Sequence, residues 1–176
     1  DNQVNILKEA YFSVTNSEKA ITAIFTAQHI KIGKLSIGIK RNVVAQGYRW
    51  EKWADKNLNF MGKRIRQNNM QLAQIPNVEQ YLMFGKERLL HIWQVIKGIV
   101  KNDDLDPIGT FLQKHNIDFE TALELPLAEF KSMVDTAVVI EKASKKDLDL
   151  DRKSVQGLIE MSFKFTNSDF QQFIQI

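Results

Sequence analysis

The sequence predicts an all-α protein, a helical bundle with a smaller helical unit at its C-terminal end. Three observations predict it. Apolar residues recur at spacings of three, four and seven through most of the chain. Breakers such as Gly47, Pro76 and Pro107 fall between those stretches. The alternation in Ile30-Lys31-Ile32 and Ile37-Gly38-Ile39 could instead be a strand pair, and the helix is the stronger reading there.

Residues 4–14 read as a short mixed segment with a helix around Ile6 to Phe12. Thr15-Asn16-Ser17-Glu18 supplies cap residues and an acid, the signature of a new helix start. A long helix is then expected from Glu18 to Gln46. Ile21, Phe25, Ile32, Leu35, Ile39 and Val43 share one face, with Gln28 on the same line. Ala23, Ile30, Ile37 and Val44 repeat every seven residues on the opposite face. A helix apolar on two faces is buried between neighbours or lies at an interface. Gly33 and Gly38 weaken this helix intrinsically and permit a close helix–helix approach. Gly47 ends it.

Shorter helices follow at Tyr48–Asn57, Met61–Ile75, Val78–Phe84 and Glu87–Val100, with Pro76 stopping the second. The clearest break is Asn102-Asp103-Asp104-Leu105-Asp106-Pro107. There Asp106 can cap a helix whose first residue is Pro107, carrying Ile108, Phe111 and Leu112. The charge balance changes sign nearby. The chain therefore divides into residues 1–102, a basic helical domain, and 103–176, an acidic packing or dimerising unit. Further helices are expected at about 119–125, 126–143, 151–162 and 167–175.

Composition narrows the function. At 176 residues and 44% hydrophobic the chain can build a core without assistance. Absent cysteine removes disulfides, thiolate catalysis and sulfur-ligated zinc. No apolar run approaches the roughly 20 residues of a membrane span, and the N-terminal residues lack the layout of a signal peptide. A cytoplasmic location is expected.

The net charge of +3 conceals an asymmetry. Residues 1–88 hold 14 basic and 7 acidic residues, whereas 89–176 hold 10 and 14. Between 27 and 70 there are ten basic residues against Glu51 and Asp55 only, a net of +8. Such concentration marks a polyanion-binding face.

Within that stretch, Trp50 to Ala73 reads as two short helices joined by a tight turn. Ala54 is a small residue where the two would pack. Phe60 and Ile65 are placed as a turn anchor and a second-helix anchor. The segment resembles the helix-turn-helix of bacterial regulators and of ParB/KorB-like partition and plasmid or phage proteins. The resemblance extends over about 30–98, with Gly33-Lys34-Leu35 before the segment and Ile75-Pro76-Asn77-Val78-Glu79 and Gly85-Lys86 after it. Three departures stand out, the first being that the usual turn glycine would fall near Asn59, asparagine being the next best residue for a left-handed turn position. The distance from Ala54 to Phe60 is one residue longer than usual, and Asn68 falls where an apolar residue is normally buried.

The resemblance implies that the second helix lies in the major groove of duplex DNA. At about 100° per residue, Met61, Ile65, Asn68 and Leu72 should face inward, with Lys63, Arg66, Gln67 and Met70 outward. The outward set suits base edges: Arg for guanine, Gln for adenine, Met for a thymine methyl. Lys52, Lys56, Arg64, Lys34 and Arg41 suit phosphates, and Lys31 and Lys40 add charge nearby.

No enzyme, metal site or cofactor is expected. His29, His91 and His115 are isolated, and no phosphate-binding Gly-Lys loop or Gly-x-Ser-x-Gly elbow occurs. Asp147-Leu148-Asp149-Leu150-Asp151 imitates a calcium loop but meets Arg152 and Leu158 where Gly and Glu are required. The leading expectation is a sequence-specific DNA-binding regulator, or a partition or replication accessory. It would act as a homodimer through either the Ala23/Ile30/Ile37/Val44 stripe or the C-terminal half. The alternative is a helical protein-interaction module, in which the C-terminal half or the doubly apolar helix meets a protein partner.

Overall fold

The computed structural model describes residues 2–101 and 103–144, and every regular element among them is helical. The all-α bundle expected from the periodicity is therefore the fold. Its elements are α1 (Asn2–Ala45), α2 (Trp50–Asn57), α3 (Lys63–Leu72), a 3₁₀ segment (Val78–Phe84), α4 (Gly85–Ile96), α5 (Pro107–Lys114) and α6 (Phe119–Glu124). A further helix, α7, covers 127–144. The helices expected at about 151–162 and 167–175, and the calcium-loop-like aspartates, lie outside the described residues.

α1 differs from expectation in length. It is one helix of 44 residues, not a short helix followed by a capped second one. The hydroxyls of Thr15 and Ser17 donate back along the helix to the carbonyls of Tyr11 (3.0 Å) and Ser13 (2.8 Å). Satisfied this way, they lie within the helix and do not cap a new one. The alternating residues 30–32 and 37–39 are helical within α1.

The C-terminal end of α1 follows the expectation. Gly47 takes φ +83°, a left-handed conformation open to glycine at little cost. The amides of Gly47 and Tyr48 then bond the carbonyls of Val44 (2.9 Å) and Val43 (3.1 Å), closing the last turn as a Schellman motif.

α1 is the spine on which α2, α3, the 3₁₀ segment and α4 pack. Its buried face carries Thr26, Ile30, Gly33, Ser36 and Val43. A Cβ on Gly33 would sit 1.9 Å from the Asn69 carbonyl oxygen and 2.8 Å from the Ala73 Cβ. Only glycine lets α3 approach α1 this closely. The close approach anticipated for this helix is thus made at Gly33, while Gly38 faces open space.

This corrects the assignment of the two apolar stripes. Ile30 is buried within its own chain, and Ala23 and Ile37 are half-buried; only Val44 of that set is exposed. The Ala23/Ile30/Ile37/Val44 line is mainly a core face, not a free dimer interface. Of the opposite stripe, Ile21, Phe25, Ile32, Leu35 and Ile39 face solvent, while Val43 at its end is buried.

The first compact unit runs from Asp1 to Val134, so the division expected between 102 and 103 falls inside it. Tyr81 donates a hydrogen bond shared between the carboxylate oxygens of Asp106, at 2.8 Å each. The Phe84 ring lies 4.7 Å from Phe119 and 5.5 Å from Phe130, and Arg88 stacks over Phe130. Arg88 also donates to the Leu125 carbonyl. The start signal at Asp106-Pro107 works as expected: Asp106 accepts from the Gly109 amide and Pro107 opens α5. A second unit begins at Asp135, of which the described part, 135–144, is helical.

Candidate nucleic-acid interface

α2 and α3 are joined by residues 58–62. Ala54 is fully buried, as a small residue at a helix contact should be. It packs with Val43 of α1 and Trp50, and Trp53, Leu58 and Met70 close around this group. The two expected anchors behave otherwise. Phe60 is 79% exposed and Ile65 51% exposed. Leu58, not Phe60, turns the connection inward.

Arg66 organises the junction instead. Its side chain is 2% exposed, and its guanidinium donates to the Asp55 carboxylate at 2.8 Å. The same guanidinium lies 4.0 Å from Glu51 and over the Trp50 ring, 5.9 Å from its centre. One turn on, the buried Asn69 pairs its Oδ1 with Nδ1 of His29 on α1 at 3.0 Å. Arg66 thus ties α3 to α2, and Asn69 ties α3 to α1, beside the glycine contact at Gly33.

The consequence is a rotation of α3 relative to the expected facing. Its buried residues are Arg66, Asn69 and Leu72, spaced every three positions. Arg66 therefore faces the protein interior, where its donors are committed, and cannot reach a base edge in this arrangement. Met70 packs half-buried against the Trp50–Ala54 group. Ile65, expected inward, is outward, and Asn68 is half-buried. Of the four expected base contacts, Lys63 and Gln67 are exposed, Lys63 lying 3.4 Å from the Glu51 carboxylate. Arg64, assigned to phosphate, occupies the centre of the exposed face together with Gln67 and the edge of Gln71. The Gln71 Oε1 is buried without a hydrogen-bond partner among the described residues.

The phosphate set is divided. Lys52 and Lys56 on α2, Arg64 on α3 and Arg41 on α1 are exposed and form no ion pair among the described residues. Lys34 is committed to Glu79 at 2.7 Å. That contact holds the Glu79 carboxyl below its ordinary pKa, chiefly through the hydrogen bond from Lys34. Lys40 and Arg41 line an open groove of about 490 Å³ with Ile37, Val44, Met70 and Gln74. This groove lies between the C-terminal part of α1 and the end of α3, at Met70 and the following Gln74.

Of the groups that fold the junction, the sequence shows only the types. Asp55 and Arg66 are eleven residues apart, and His29 and Asn69 forty. No periodicity links such pairs, so their burial could not be read from spacing. Among the described residues no group of His, Cys, Asp or Glu could hold a metal ion, and no helix is long and apolar enough to cross a membrane. No protein-family model, curated protein or solved structure matches this chain.

Proposed function

We propose that this chain binds duplex DNA sequence-specifically through α3 and the basic residues around it, and acts by occupying a site. A regulator, or a partition or replication accessory of bacterial, plasmid or phage type, working in the cytoplasm and without catalysis, fits such a role. The observation that carries this reading is the solvent face of α3. Lys63, Arg64 and Gln67 are exposed on it, and Lys52 and Lys56 on α2 and Lys40 and Arg41 on α1 are exposed and form no ion pair among the described residues. Its 10 residues span about 15 Å, enough to lie in a major groove about 12 Å wide. Arg64 and Gln67 have the donors and acceptors that distinguish guanine and adenine edges. Lys52, Lys56 and Arg41 carry the charge that phosphates require.

The revised facing changes the residue assignments. Arg64 replaces Arg66 as the guanine-reading candidate, and Met70 serves packing. Titration of a fluorescent duplex with the full chain tests the reading. Binding should weaken steeply as salt rises from about 50 to 200 mM, because each phosphate contact releases counterions. Absence of binding at the lower salt refutes it.

A second reading, a helical protein-interaction module, is favoured by one observation: the apolar residues left in solvent along α1. It differs in its outcome, since such a module associates with protein and leaves the duplex unbound.

A further inference from the structure

α1 carries a seven-residue repeat over almost its whole length. Positions 4, 7, 11, 14, 18, 21, 25, 28, 32, 35, 39 and 42 alternate steps of three and four without interruption, the a and d positions of a coiled coil. All twelve are exposed. Nine are apolar; the exceptions are Glu18, Gln28 and Asn42. Residues 3–14 are exposed on every side of the helix. Among the described residues, then, nothing buries Leu7 or Tyr11, and a helix in water draws most of its stability from packing. Large apolar patches of this kind mark association surfaces.

The pattern itself selects the occupant. In a parallel pair, a meets a and d meets d, so Glu18 would face the Glu18 of a second copy. Two carboxylates would then oppose each other inside an apolar seam. In an antiparallel pair, a meets d. One register, centred near residue 23, places Glu18 against Gln28 of the second copy, where a carboxylate accepts from an amide. In that same register Ile21 meets Phe25, Val14 meets Ile32, Tyr11 meets Leu35 and Leu7 meets Ile39. Val4 against Asn42 is the only mixed layer, and it falls at the ends. Ile24, also exposed, flanks the centre of symmetry. The chain is complementary to itself read backwards.

We propose that α1 forms an antiparallel two-stranded coiled coil with α1 of a second copy of this chain, with Glu18 facing Gln28 across the seam. The contact uses the face of α1 opposite Gly33 and Ile30, so it leaves the packing of α3 on α1 intact. It does not depend on DNA binding, and either property can fail without the other.

The chain lacks cysteine, so introduced thiols report the register directly. Sedimentation equilibrium of the full chain at tens of micromolar should give twice the 20.3 kDa of one copy. Under mild oxidation, a mixture of Leu7→Cys and Ile39→Cys chains should form an interchain disulfide. Leu7→Cys alone should not, because its two thiols would lie about 48 Å apart at about 1.5 Å per residue. Leu35→Glu, at a site 60% exposed, should halve the mass while circular dichroism retains the helical signal. A full chain of monomeric mass overturns the proposal, including the case in which another segment of the same chain covers the stripe. A disulfide in Leu7→Cys alone overturns the antiparallel register. A Leu35→Glu chain that remains dimeric overturns the interface.

Discussion

Three residues fix how α3 sits: Gly33, Arg66 and Asn69. Gly33→Ala would drive a Cβ into the Asn69 backbone, which cannot yield as a side-chain tip can. A loss of about 3 kcal/mol in urea unfolding is expected, at the upper end for overpacking. Gly38→Ala is the control. Nothing lies within 4 Å of that position, so helix propensity alone should stabilise the chain by roughly 0.5–1 kcal/mol. Arg66→Ala removes the donors held by Asp55 and the Met61 carbonyl, and leaves a cavity under Trp50. A cost of about 1–3 kcal/mol is expected, so lost DNA affinity in this variant would report folding and not base reading. Tyr81 gives a pH signature. Burial, and then the hydrogen bond to Asp106, raise its pKa well above the ordinary 10.0. A raised pKa means that the neutral phenol stabilises the fold below pH 10 and that this contribution is lost as pH rises further. Tyr81→Phe should remove that alkaline loss from a stability–pH curve; an unchanged curve would show that Tyr81 is not its source.

At the scale of elements, the ends were more legible than the faces. Gly47 and the Asp106-Pro107 start could be read because each acts through its own backbone geometry, whereas α3 ends at Leu72, short of the stop expected at Pro76. Thr15 and Ser17 misled, since a hydroxyl can cap a new helix or bond back along an existing one, and only the neighbouring chain decides. Facing was harder still. Ile65 is apolar and exposed, Arg66 charged and buried, because the contacts at Gly33 and Asp55 set the rotation of α3 and hydrophobicity alone does not. For the capped elements, Asp106→Ala should cost about 1–2 kcal/mol, as it removes the α5 cap and the Tyr81 acceptor together. Thermal unfolding measures it, and a loss below a few tenths would contradict the role given to Asp106.

At the scale of the molecule, the fold class was legible and the site only partly so. The basic stretch 27–70 survives as an exposed field on α1, α2 and α3, yet its ten charges are not equivalent. Lys34 is held by Glu79, Lys63 sits beside Glu51, and Arg66 is internal. Lys40, Arg41, Lys52, Lys56 and Arg64 remain available to a polyanion. A long α1 with a core face on one side and an apolar seam on the other would let the same helix hold the fold and join two copies. Two such copies would present two α3 faces, as paired half-sites require. The most direct test of the DNA-binding reading is duplex affinity against salt for the unaltered chain, Lys52→Ala and Arg64→Ala. Expected are steep salt dependence, a slope reduced by about one in Lys52→Ala for every sequence, and a loss of about 1–3 kcal/mol in Arg64→Ala confined to the preferred site. No duplex binding at low salt, or equal binding by all three chains, would contradict it.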